Sequence, residues 1–171
     1  MKLLALVLAA SIVAGCSPAQ SDEPVGPPAE EVLPVEPDGS IGDGVSCPML
    51  MPMVYDEFSQ AIEAGAGCAF VAQGNTDPLF VATAPDSDKI AGKGAIKIND
   101  TIVVLTHNGV GLAQVEAGGV FASEAVEVTI AHSGGEPSSE KEGTYFWPAT
   151  LKISQDEVGS NMYEGTYECG A

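Results

Sequence analysis

The spacing of apolar residues changes three times along the chain, and each regime predicts a different kind of element. Leu3 to Val13 (LLALVLAASIV) is an unbroken apolar run. It is shorter than the roughly 20 apolar residues a helix needs to cross a bilayer. Residues 17 to 45 have no period. Pro18, Pro24, Pro27, Pro28, Pro34 and Pro37 are scattered there among Asp22, Glu23, Glu30, Glu31, Glu36, Asp38 and Asp43, without a lysine. Such a stretch is stiffened by proline, extended by like charges, and too poor in apolar surface to offset its ordering entropy. It predicts a disordered acidic, proline-rich tether. A folded domain then begins near Ser46. Val54, Phe58 and Ile62 recur every four residues, with Asp56 and Glu57 suited to a first helical turn and Gly65 to a stop, which predicts a short helix over 56–64.

Beyond Gly67 the period falls to two, the signature of strands with one buried face. Cys68, Phe70 and Ala72 share a parity, as do Ile96 and Ile98, and Val126, Val128 and Ile130. The clearest alternation is Tyr145-Trp147-Ala149-Leu151-Ile153, and the last is Met162 to Cys169 with Tyr163, Tyr167 and Cys169 on one side. Thr101 to Thr106 (TIVVLT) is apolar on both faces and reads as a central strand. Asn99-Asp100, Asn108-Gly109 and Gly118-Gly119 fall between strand-like runs at hairpin spacing. Successive hairpins make antiparallel neighbours. The expected fold is all-β: an antiparallel meander of about seven or eight strands curled into a barrel or sandwich, with one short N-terminal helix. Pro148 belongs at an edge or bulge, and Glu136 to Glu142 (EPSSEKE) forms a polar loop tip.

Lys2, the apolar run and the small residues Val13-Ala14-Gly15 before Cys16 together make an export leader. The tetrad Val13-Ala14-Gly15-Cys16 resembles the lipobox of bacterial lipoproteins. That resemblance covers residues 1–16 and implies cleavage before Cys16, a diacylglycerol on its thiol and an acylated new amine. Two or three acyl chains hold a protein stably on a membrane, where one is marginal. The domain plan is therefore a signal peptide at 1–15, lipidated Cys16 and tether at 16–45, and a β domain at 46–171. Ser17, rather than an aspartate, follows the cysteine, which favours an outer-membrane lipoprotein facing the periplasm.

Charge narrows the partners. Asp and Glu number 24 against 6 lysines and no arginine, for a net charge of −18. That balance repels nucleic-acid backbones and anionic headgroups alike, so a covalent anchor has to supply the membrane contact. A basic envelope protein is the partner class the charge suits; oligomeric state is left open.

Three cysteines remain besides Cys16, and the compartment is oxidising. The expected bridge is Cys68–Cys169, between strands at the two ends of the sheet, with Cys47–Cys68 as the alternative. On the preferred pairing Cys47 stays out of the bridges. Cys47-Pro48-Met49-Leu50-Met51-Pro52-Met53 is an unusual pattern. Its prolines favour an extended chain, in which Cys47, Met49, Met51 and Met53 form a row of soft sulfurs suited to Cu(I). It resembles the methionine clusters of periplasmic copper-handling proteins. The competing expectation is that the methionines fill irregular gaps in packing, and no cofactor is expected. His107 and His132, the two histidines, have no defined carboxylate partner and read as ordinary surface residues. There is no G-x-S-x-G, H-E-x-x-H, P-loop or dinucleotide fingerprint, so no catalytic residue is assigned and no enzyme is expected.

Anchor, compact antiparallel barrel and a cysteine near each end of the sheet together resemble, in layout, small periplasmic lysozyme inhibitors, although their inhibitory loop motif has no counterpart here. The resemblance implies a non-catalytic binding or inhibitor module. A copper-handling protein and a structural envelope protein are the alternatives.

Overall fold

The computed structural model describes residues 47–85, 87–132 and 135–170. The signal peptide, Cys16 and the tether lie outside the described residues.

The described chain forms β1 (Ala66–Ala72), β2 (Phe80–Ala84), β3 (Ala91–Ile98), β4 (Thr101–Val110), β5 (Gly119–Ala122), β6 (Val126–His132), β7 (Ser139–Lys141), β8 (Thr144–Gln155) and β9 (Gly159–Gly170). Helix α1 (Tyr55–Phe58) precedes β1, and α2 (Leu112–Glu116) connects β4 to β5. From β1 to β6 each strand pairs antiparallel with the next. β6 pairs with β8, β8 with β9, and β9 returns to β1. Eight strands thus close into a barrel, and β7 lies outside it against the first residues of β8. Closure removes the free edges that an open sheet would expose.

Alternation fills the interior. Phe70, Phe80, Ile96, Leu105, Phe121, Val128, Leu151, Ile153 and Tyr167 are fully buried inside. An eight-stranded barrel is just wide enough for its own side chains, and here size is matched across strands. Gly94 leaves the space that Phe80 and Phe121 occupy: a Cβ there would sit 2.7 Å from one ring and 3.1 Å from the other. Both mouths are plugged. At one, α2 inserts buried Val115, and the Tyr167 hydroxyl donates to the Val115 carbonyl at 2.6 Å. Burial pushes the Tyr167 phenol well above its ordinary pKa of 10.0. At the other mouth lies buried Leu50, whose amide donates to the Tyr163 hydroxyl at 2.9 Å.

A second core sits on the outside. Residues 51–64 cross the barrel wall as a strap. The Met51 amide bonds the Lys97 carbonyl and the Met53 amide the Pro78 carbonyl, each at 2.9 Å. Beneath the strap Met53, Ile62, Val81 and Ala95 are buried, with Phe58, Ala69 and Ile102 packed against them. This is why the TIVVLT strand is apolar on both faces: Leu105 points inward and Ile102 lies under the strap.

Several expectations need correction. The helix is one turn, Tyr55–Phe58, because the chain bends at residues 59–62 to bring Ile62 onto the wall, and Val54 stays exposed. Asn108-Gly109 is not a hairpin turn; β4 runs through it to Val110. The His107 ring accepts the Gly109 amide at 2.8 Å, so that N–H is satisfied without a turn, and the chain reverses later at Gly111, which has φ +81°. Residues 139–141 of the polar tip form β7, turned by Glu142-Gly143 with both φ values positive. Asn99-Asp100 is the tight hairpin expected, φ +48° and +61°, between paired Ile98 and Thr101. Pro148 lies inside β8, where one flank passes from β6, whose pairing ends at Ala149, to β7, whose pairing begins at Phe146. No ladder partner from either strand stands opposite it there, so its missing N–H costs nothing.

Candidate functional site

With the barrel filled, the concave surface is outside, between strap and wall. Two side-chain contacts add to the backbone bonds that hold the strap. Glu57 accepts from the Val54 amide at 2.9 Å and from Lys97 Nζ on β3 at 2.7 Å. Lys97 also lies 3.5 Å from Asp100. The hydrogen bond from Lys97, and next that from the Val54 amide, hold the Glu57 carboxyl below its ordinary range; the same bond to Glu57 raises Lys97. At the far end the Thr83 hydroxyl donates to the Glu63 carbonyl at 2.9 Å.

Beside the strap, along the outer faces of β1, β2 and β9, lies a groove of about 460 Å³. Tyr55 and Phe58 form its aromatic wall, their rings edge to face at 5.4 Å. The floor is low, built from Gly67, Ala69, Val81, Thr83 and Gly170. Glycine is required at 67, where a Cβ would collide with the Ala82 carbonyl. Glu63 lines the strap side and Glu168 the β9 side, and no lysine, arginine or histidine lines the groove. A smaller hollow of about 240 Å³ lies by the β5–β6 turn, with Glu124, Glu127 and Asp156 at its rim. Among the described residues no three His, Cys, Asp or Glu side chains are grouped to hold a metal.

The residues singled out from the sequence are dispersed. Cys68 and Cys169 face each other on β1 and β9, Cα atoms 4.1 Å apart, and form a disulfide that closes the barrel between its first and last strands. Setting Cys16 aside for lipid leaves an odd number of thiols and keeps Cys47 out of the bridges; the structure instead holds Cys47 in a disulfide. The sulfur row does not form. Pro48 and Leu50 take the buried parity, Met49 is exposed, Met51 is half-buried on β3, and Met53 is sealed under the strap. The buried parity thus shifts from the even residues Pro48 and Leu50 to the odd residue Met53.

Nor are the histidines surface residues. His107 is buried inside the barrel against Phe121, ring centroids 4.5 Å apart. Because its Nδ1 accepts the Gly109 amide, Nε2 carries the proton and donates to the Gly118 carbonyl at 2.8 Å. His132 is half-buried, its ring 5.3 Å from that of Trp147 and 6.3 Å from that of Tyr167. Both rings serve the interior. The groove, by contrast, drew no signal from the sequence, since its walls come from segments more than 100 residues apart, as the facing of Gly67 and Gly170 shows.

Residues 18–171 match the family described as Domain of unknown function (DUF6692). The chain belongs to this family. No curated protein and no solved structure matches it. The DUF6692 match leaves out the apolar leader and begins two residues past Cys16.

Proposed function

We propose that this DUF6692 protein is a lipid-anchored, non-catalytic binding module of the bacterial cell envelope, and that the groove between strap and barrel is its binding site. The observation that carries the reading is the contrast between a barrel packed to both mouths and an open, aromatic-walled groove on its flank. Small-molecule and peptide sites are concave and mostly apolar, with a few polar groups, and this concavity fits that description. The partner suggested by a net charge of −18 is a basic envelope protein. The leader and the Val13-Ala14-Gly15-Cys16 tetrad support export and lipidation at Cys16, and Ser17 supports the outer membrane.

The test is site-specific photo-crosslinking of the full chain in its own cells. A photoreactive residue at Ser59, exposed in the groove, should give a discrete adduct, and one at Ser139, exposed on β7, should not. Equal adducts from both positions, or none from Ser59, would refute the groove as the binding site.

A further inference from the structure

The chemistry of the groove narrows its occupant. Its two charged lining residues are Glu63 and Glu168, contributed from opposite sides. Lys97, the cation that pins the strap, is already engaged by Glu57 and Asp100. The chain has no arginine of its own to satisfy a carboxylate pair. Tyr55 presents an exposed ring beside Phe58. The floor of glycine, alanine, valine and threonine admits an aliphatic stem, and the Thr83 hydroxyl there already donates to the Glu63 carbonyl. A guanidinium suits all of these at once: it stacks on an aromatic face, matches carboxylates with a planar fork, and sheds water more readily than an ammonium. A second copy of this chain is disfavoured, because each carries −18.

Resting on the groove as the binding site, we infer that it takes an arginine flanked by apolar residues, presented by an extended segment of a basic protein. The arginine lies between Glu63 and Glu168 with its stem along Gly67 and Gly170.

Fluorescence anisotropy of the full chain tests this with a labelled peptide GLRLG, its citrulline twin, which keeps the shape without the charge, and free spermine as competitor. The arginine peptide should bind at least ten-fold more tightly than the citrulline twin. The Glu63→Gln/Glu168→Gln variant should remove that preference at an unchanged melting temperature. Glu124→Gln/Glu127→Gln, the same charge change at the other hollow, should alter affinity by less than two-fold. Equal binding of the two peptides, or equal weakening by both double variants, overturns the inference, the latter by reducing it to diffuse charge attraction. Displacement by spermine at concentrations below those of the peptide assigns the site to small polycations and overturns it as well. If neither peptide binds while the Ser59 adduct forms, the arginine occupant fails and the groove reading survives; loss of the Ser59 adduct itself removes the groove reading.

Discussion

Truncating Met53 separates packing from metal binding at the sulfur-rich segment. Met53 has 0% of its surface exposed, under the strap with Ile62, Val81 and Ala95, whereas Met49, four residues earlier, is 66% exposed. Met→Ala at a buried site costs about 2–5 kcal/mol, the value rising with the cavity that remains. The outer cluster is small, and its roof is a single strap able to settle into the gap, which places Met53→Ala at the lower end, about 2–3 kcal/mol. Met53→Leu conserves volume and should cost less than about 1.5 kcal/mol. Met49→Ala, which removes no buried contact, should stay within about 0.5 kcal/mol. Urea unfolding of the full chain, followed by fluorescence of Trp147 inside the barrel, reads all three. A loss below about 0.5 kcal/mol for Met53→Ala, or an equal loss for Met49→Ala, would show that the strap is not held by this packing. A Cu(I) site in wild type that Met53→Leu abolishes without a change in stability would restore the sulfur row.

Replacing both Cys68 and Cys169 with Ala releases a constraint spanning 101 residues, which the loop-entropy relation puts at about 4.7 kcal/mol; a loss under about 1 kcal/mol in urea would mean that the unfolded chain is hardly restrained by the bridge. Because the Glu57 carboxyl is held below its usual 4.5, its contribution is full above that pH and lost as pH falls through the lowered value. Lys97, raised from 10.5, keeps its contribution below that pH and loses it only in stronger alkali. Intrinsic-rate-corrected exchange protection of the Val54 amide, which donates to Glu57, should therefore hold level down to pH 4.5 and then drop, and Glu57→Gln should erase the acid step. Intact-mass analysis of the mature protein should find a triacylated or diacylated Cys16; a Cys16 retained as an unmodified residue within a longer chain would remove the anchor from the proposal.

What was legible in the sequence was the alternation of half-buried strands. Val126, Val128 and Ile130 on β6 and Trp147 to Ile153 on β8 point inward as their parity dictates, and Asn99-Asp100 turns the chain where two tolerant residues accept positive φ. β2 was missed because Phe80, Val81 and Ala82 are all buried, the even residues in the barrel and Val81 under the strap, so no alternation marks it. Asn108-Gly109 misled because a side chain, His107, satisfies the glycine amide that a turn would otherwise engage. The one-turn helix was overread because Phe58 and Ile62 do share the outer core, but through a bend. The groove was invisible for a different reason. Local periodicity reports which face of an element is buried, whereas the groove exists only because the barrel closes and brings β9 beside β1 under a strap from the N-terminal side.

That closure also orients the site. The strap enters at the mouth sealed by Leu50, near Tyr163, Lys97 and Pro78, and runs down the wall toward Gly65. The groove floor includes Gly67 and Gly170, paired at the opposite end of the barrel. On the proposed anchoring the lipid pulls on one end and the groove opens toward the other, away from the membrane. On the same proposal, residues 17–45, reaching at most about 3 Å per residue, set how far from the membrane the groove can work. Deleting residues 22–38 should therefore leave the affinity for the arginine peptide within two-fold in vitro, since no groove residue is touched, yet abolish or relocate the Ser59 adduct in cells. An unchanged adduct in the shortened chain would show that the partner meets the groove close to the membrane, and that the acidic spacer serves something other than reach.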